Sequence, residues 1–163
     1  MIFATVGSQK FPFNRLIQAV DDLVGSGCVD DAAFAQTGCC TYEPKYIEHK
    51  AFLGREEFKC RMLECDTVIT HGGTGAIIGA VKVGKKVVAV PRLAEYGEHV
   101  DNHQIEIVNQ FAEMGMIEPC FDLDKLEDAY KRLQSKDYFP YESNTKHFIV
   151  DLASYLDVVG GNR

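Results

Sequence analysis

Thr67-Val68-Ile69-Thr70-His71-Gly72-Gly73-Thr74-Gly75-Ala76-Ile77-Ile78-Gly79-Ala80-Val81-Lys82-Val83-Gly84-Lys85-Lys86-Val87-Val88-Ala89-Val90-Pro91 is the stretch from which the fold is read. Thr67 to Thr70 is a short β-rich run that breaks at a glycine turn, His71 to Gly75. Ala76 to Val83 has the length and composition of a helix and stops at Gly84. Lys86 to Val90 is a second continuous apolar run, closed by Pro91. Strand, helix and strand without in/out alternation make a βαβ unit, and such strands are buried on both faces of a parallel sheet.

The same alternation extends outward. Ile2 to Val6 reads as a buried strand turning at Gly7-Ser8. Phe13 or Asn14 opens a helix with Leu16, Ile17, Val20, Leu23 and Val24 at helical spacing, ended by Gly25 and Gly27. Ala32 to Gln36 is a second strand before Thr37-Gly38, and Tyr46 to Leu53 holds a short third. Glu56 to Glu64 is a helix with Phe58, Met62 and Leu63 on one face. Beyond Pro91 comes a polar loop, Arg92 to Glu98. A helix from about Val100 to Met114 follows, capped by Gly115, and then a short strand in Met116 to Phe121. Asp122 or Asp124 opens a helix carrying Leu126, Ala129, Tyr130 and Leu133. Residues 137–142 form an aromatic loop, and 143–159 a final amphipathic helix. The fold class is α/β, a Rossmann-like parallel sheet with helices on both faces, in a single domain over 1–163.

Composition bounds the function. The chain has 163 residues, 46% hydrophobic and 25% charged, with a formal charge of −7. This length buries a core without disulfides or metal. A net acidic chain does not grip nucleic acid or anionic lipid by bulk electrostatics. The N-terminus lacks a basic region followed by an apolar stretch, and no apolar run approaches the ~18 residues of a spanning helix. A cytoplasmic location is expected. The six cysteines contain no C-x-x-C pair, so they read as reduced and mostly buried thiols.

Open α/β sheets bind ligands at the carboxyl ends of their strands. That directs attention to Gly7–Lys10, Thr37–Thr41, His71–Gly75 and Pro91–Gln104. In the His71–Gly75 loop, glycine lets a ligand approach the backbone, and the following helix N-terminus offers unpaired N–H groups to a phosphate or diphosphate. Three other motifs fail. Gly73-x-Gly75-x-x-x-Gly79 misses the dinucleotide fingerprint by one residue and follows the fourth strand rather than the first. Gly79-x-x-x-x-Gly84-Lys85-Lys86 lacks the Ser/Thr of a P-loop and runs from helix into strand. His71-Gly72-Gly73 suggests an esterase oxyanion loop, but no G-x-S-x-G elbow exists.

Glu98-His99-Val100-Asp101-Asn102-His103-Gln104 is a dense polar cluster. His99 and His103 stand four apart, the spacing of a zinc pair on one helix face, but no third His or Cys ligand is evident and no metal is expected. Helix capping by Asp101 or Asn102 explains part of the pattern. Amides and carboxylates at a strand-end cleft also suit a hydroxyl-rich ligand.

Four segments in order resemble one family: Thr5-Val6-Gly7-Ser8, Asp66 to Gly75, Gly84 to Arg92, and Glu98 to Gln104. It is the C-terminal domain of glycosyltransferase family 28. The chain is most similar to stand-alone small subunits. These include the catalytic subunit of the eukaryotic dolichol-linked UDP-GlcNAc transferase and subunits of bacterial exopolysaccharide and capsule transferases. The resemblance spans about Met1 to Phe121. It implies the C-terminal half of a GT-B enzyme binding a UDP-sugar donor, with no metal or other cofactor. A membrane-associated partner would supply the acceptor half and present a polyprenyl-diphosphate-linked acceptor, leaving the chain peripheral at the inner membrane face. Gly7, Ser8, His71, Gly72, Gly73, Thr74 and Gly75 would surround the diphosphate, with His71 steadying its charge as the catalytic residue. Arg92 would add positive charge. Glu98, Asp101, Asn102, His103 and Gln104 would meet the donor sugar.

One position departs from the family. Many members carry a Glu on the helix after the glycine loop, where it accepts the ribose hydroxyls, and Gly79 stands there. Glu95 or Glu98 would have to take over, or the nucleoside is held differently. The implied reaction is inverting hexosyl transfer from a UDP-sugar in polysaccharide or glycolipid synthesis, with the general base on the partner. Two alternatives stand beside it: a non-catalytic nucleotide-sugar-binding module that activates a partner, and an NADP-binding oxidoreductase.

Overall fold

The computed structural model describes residues 1–141. The expected helix over 143–159 lies outside the described residues.

Six strands form one parallel sheet in the order β3-β2-β1-β4-β5-β6. They are β1 (Ile2–Thr5), β2 (Ala33–Gln36), β3 (Glu48–Lys50), β4 (Thr67–His71), β5 (Lys86–Val90) and β6 (Glu118–Pro119). The intervening helices are α1 (Asn14–Gly25), α2 (Arg55–Glu64), α3 (Thr74–Lys82), α4 (His103–Glu113) and α5 (Leu126–Ser135). This is a doubly wound order. The chain leaves β1 toward β2 on one side and resumes from β4 toward β5 on the other, so the switch point lies between β1 and β4.

The strands read as uninterrupted apolar runs because consecutive residues feed two different cores. Ile2 and Ala4 of β1, Ile69 of β4 and Val88 of β5 pack with Leu16, Ile17 and Val20 of α1 and Leu133 of α5. Phe3, Val68, Val87 and Ala89 face the opposite way, onto Met62 of α2, Ile77 of α3 and Val108 of α4. The sheet edges differ. All three residues of β3, Glu48, His49 and Lys50, are exposed, and β6 is two residues long and contains Pro119. Charge, shortness and proline protect such edges from further pairing.

One expected boundary moves. The helix expected from Val100 begins at His103. The Glu98 carboxylate accepts from Leu93 N and the Asn102 side chain from Ala94 N. These side chains hold the segment in turns instead of an extra helical turn. The cysteines also depart from expectation. Only Cys65 and Cys120 are buried, whereas Cys28, Cys39 and Cys60 are exposed; all six are free thiols. Among the described residues, no helix is long and apolar enough to cross a membrane.

Candidate functional site

Three segments meet at the carboxyl edge of the sheet: the loop after β1, the loop after β4, and the stretch from the end of β5 to the start of α4. Thr5 and Thr70 are register partners in the neighbouring strands β1 and β4, so Gly7 and the His71–Gly75 loop emerge side by side. Gly7 has φ +75°, a conformation that disfavours any side chain, and a Cβ there would stand 2.7 Å from His71 Cε1. A Cβ on Gly73 would stand 2.4 Å from His71 Nε2. The imidazole is therefore wedged between two glycines. The third glycine packs the loop onto α4, since a Cβ on Gly72 would meet Val108 Cγ2 at 2.8 Å and Gln104 Cβ at 3.0 Å.

His71 is 9% exposed. Burial, reinforced by the Arg92 guanidinium, pushes its pKa down to about 4, so it is neutral at pH 7. The Thr70 hydroxyl donates its one proton to Thr5 O at 3.1 Å and lies 3.3 Å from His71 Nδ1. Toward the ring it is then an acceptor, which places the imidazole proton on Nδ1 and leaves Nε2 as a lone pair. What His71 brings to the loop is a fixed position and a neutral ring.

Beyond the wedge, α3 starts with Gly73 at its N-cap and no side chain capping it. Gly73 O accepts from Ala76 N and Ile77 N at 3.1 Å each. The N–H groups of Thr74 and Gly75 precede those bonds, on exposed residues, at the positive end of the helix dipole. Ser8 is exposed across the cleft.

Next to this helix start lies a largely apolar cavity of ≈570 Å³. Phe52, Leu53, Phe58 and Met62 line one side, and Gly75 and Gly79 the other. A Cβ on Gly79 would meet nothing within 4 Å. Gln36, at the end of β2, ties the walls together, donating from Nε2 to Gly7 O and accepting at Oε1 from Leu53 N. Sequence reasoning singled out neither Gln36 nor this cavity. The available signal was Phe58 and Met62, one helical turn apart on α2 and aimed at the strand ends. A second cavity of ≈590 Å³, bordered by Arg15, Asp22 and Glu127, contains none of the glycine-loop residues.

The structure corrects two expected site residues. Arg92 is fully buried, and its guanidinium donates to Val6 O at 2.6 Å, Phe11 O at 2.9 Å, Glu98 O at 3.1 Å and Pro12 O at 3.4 Å. It clamps the β1 loop to the end of β5, with Nη1 and Nη2 turned to backbone carbonyls and the buried Nε without a partner among the described residues. Glu98 is 3% exposed. Its carboxylate takes a bidentate pair from Arg15 at 2.7 and 2.8 Å and a bond from Leu93 N at 3.0 Å. Neither side chain is free to meet a sugar, a ribose or a phosphate.

Gln104 sits beside Gly72, and its Oε1 accepts from Arg92 N at 3.0 Å, leaving the NH2 as the unclaimed end of the amide. Asn102 is likewise held by its oxygen, on Ala94 N at 2.8 Å. His99, Asp101 and His103 converge on one another, and the two rings stand 4.7 Å apart. His99 is not on the helix, as its spacing to His103 would require; the turn brings the rings together and adds Asp101 as a third group.

The glycosyltransferase family 28 C-terminal domain matches residues 1–156. UDP-N-acetylglucosamine transferase subunit ALG13 of Candida glabrata is 36% identical over 81 residues, which are 49% of this chain and 39% of that relative. The match thus spans about two fifths of the curated relative's length. Three solved structures share the fold. The NMR structure of ALG13 aligns with TM-score 0.58 at 18% identity, over 87% of this chain and 89% of that one. Acinetobacter baumannii MurG aligns with TM-score 0.56 at 17% identity, over 81% of this chain and 40% of that one. The kitacinnamycin glycotransferase aligns with TM-score 0.60 at 17% identity, over 83% of this chain and 35% of that one.

Proposed function

The chain belongs to the glycosyltransferase family 28 C-terminal domain family, and from that premise we propose that it binds the UDP-sugar donor of an inverting hexosyl transfer. The acceptor is a polyprenyl-diphosphate-linked chain presented by a separate membrane-associated subunit, in polysaccharide or glycolipid synthesis. The observation that carries this reading is the uncapped N-terminus of α3, standing at the switch point and opening onto the apolar cavity.

Each part of the donor has a matching surface. The diphosphate takes the N–H groups of Thr74 and Gly75 and the helix dipole, which stabilise an anion without a metal. The nucleoside base takes the cavity walled by Phe52, Leu53 and Phe58. The sugar reaches the start of α4, where Asn102 and Gln104 retain amide donors. His71 is a positioning residue that holds the β1 and β4 loops apart at a fixed spacing. In the reaction the acceptor oxygen attacks the anomeric carbon, the bond to UDP breaks, and the acceptor proton goes to a base on the partner. The Candida glabrata relative is by name a subunit of a UDP-N-acetylglucosamine transferase, which supports both the UDP donor and the partner. Cytoplasmic residence, with membrane contact through that partner, follows from the same reading.

A second reading, a nucleotide-sugar-binding module that activates its partner without catalysing transfer, is favoured by Gly79, which offers no carboxylate to the ribose. Calorimetry with UDP, UDP-sugars and NADP tests the binding. UDP binding that Gly73→Asp abolishes supports the donor site, and binding of NADP alone overturns it. Transfer of radiolabelled sugar to lipid acceptor, with and without the partner, separates enzyme from activator.

A further inference from the structure

We propose that His99, Asp101 and His103 bind a divalent transition cation of the zinc class at the lip of the cleft. The site rests on geometry alone and stands whether or not the donor reading holds.

One ligand atom from each residue lies within 4.8 Å of the other two. His99 Nδ1 and Asp101 Oδ1 are 3.3 Å apart. A tetrahedral ion with bonds of about 2.0–2.2 Å sets its ligand atoms about 3.3 Å from one another, so this edge already has the required length. His103 Nδ1–H donates to the same Asp101 Oδ1, so an ion bound between them takes the place of that proton. His99 Nδ1 accepts from Asp101 N in a long bond of 3.4 Å, so it is the unprotonated nitrogen, and an ion displaces only that weak contact.

The three groups are held before any ion arrives. His99 lies against Phe11 with ring centroids 5.9 Å apart and planes tilted by 38°, its side chain 9% exposed, while Asp101 and His103 remain exposed. Asn102, between the last two, is tied to Ala94 N, and Asp101 Oδ1 also accepts from His103 N at 3.1 Å. Capping α4 needs only that last bond. It does not account for a second imidazole brought to the same oxygen. Two imidazoles and one carboxylate select a borderline cation such as Zn2+ or Co2+ over Mg2+ or Ca2+, which take all-oxygen sets. Three protein ligands leave a fourth position open for water or an oxygen of a bound anion.

The test is titration of the full chain with Zn2+ by calorimetry and with Co2+ by absorption spectroscopy. The expected result is one saturable equivalent, with visible cobalt bands and no intense near-ultraviolet thiolate charge transfer. His99→Ala and His103→Ala should each weaken binding by about tenfold or more. Asp101→Asn keeps an oxygen for His103 N, so it should retain the wild-type melting temperature while also losing affinity. Absence of saturable binding overturns the proposal. So does binding indifferent to these substitutions, or a thiolate band removed by Cys39→Ser with Cys40→Ser.

Discussion

A Cβ placed on Gly73 would stand 2.4 Å from Nε2 of His71, a ring that also lies so close to Gly7 that a Cβ there would stand 2.7 Å from Cε1. Gly73 itself has an ordinary extended backbone, φ −85° and ψ 126°. Gly73→Ala therefore strains the packing and not the backbone. The added methyl should push His71 against the β1 loop, costing about 1–3 kcal/mol of stability. It should lower UDP affinity about tenfold or more while the circular dichroism spectrum stays native. Wild-type UDP affinity in a folded Gly73→Ala variant would mean that the wedge does not set the loop geometry.

Arg92 separates a structural from an electrostatic role. Its guanidinium bridges Val6 O, Phe11 O, Pro12 O and Glu98 O from a fully buried position. A lysine ammonium cannot reach all four, and unpaired buried carbonyls are costly. Arg92→Lys should lose about 2–4 kcal/mol in urea unfolding. UDP affinity measured well below the melting temperature should change little. A variant of native stability with weakened UDP binding would restore Arg92 to the phosphate site.

Acid should act on the fold in two windows. His71 titrates at about 4 when folded against an ordinary value of 6.5. The unfolded chain then binds the extra proton, and stability falls as pH drops from about 6.5 toward 4. Asp21 is fully buried. Burial raises its pKa, but donation from Lys45 N, Tyr46 N, the Tyr42 hydroxyl and Ile47 N outweighs this and holds it below the usual carboxylate range. Its contribution is present above pH ~4 and is lost as pH falls below that. Melting temperatures across pH 7 to 2.5 should show His71→Asn flattening the upper window and Asp21→Asn the lower. An unchanged slope in either variant would remove that residue as a source.

The strands were legible because burial on both faces writes itself as continuous apolar runs, Ile2 to Val6 and Val87 to Val90 among them. The glycine loop was legible because Gly72, Gly73 and Gly75 break such a run immediately before a helix. Arg92 and Glu98 were not, because their roles depend on partners far away in the chain. Arg92 reaches back to Val6 and Phe11, and Glu98 to Arg15. A charged residue at a strand end looks the same whether it faces a ligand or a carbonyl. The start of α4 was misplaced for a related reason, as Glu98 and Asn102 spend their side chains on Leu93 N and Ala94 N. The wedge itself is three-dimensional, and no spacing rule joins Gly7 to His71.

Gly79 is the most direct handle on the nucleoside. It lies inside α3, on the wall of the ≈570 Å³ cavity, with nothing within 4 Å of where a Cβ would be. Glycine in a helix interior costs about 0.5 kcal/mol or more relative to glutamate, and a glutamate there would stand three residues before Lys82, adding about 0.2–0.5 kcal/mol. Gly79→Glu should raise the melting temperature by a few degrees. Its carboxylate would also enter the cavity as an acceptor for ribose hydroxyls, an interaction with a charged group worth about 1.5–3 kcal/mol when solvent is excluded. UDP affinity should rise about tenfold or more, whereas 2′-deoxy-UDP should gain less, because one hydroxyl is missing. An equal gain for both nucleotides would place the carboxylate away from the 2′-hydroxyl. A stabilised variant with weakened UDP binding would put the ribose elsewhere than beside α3 and remove the nucleoside from this cavity.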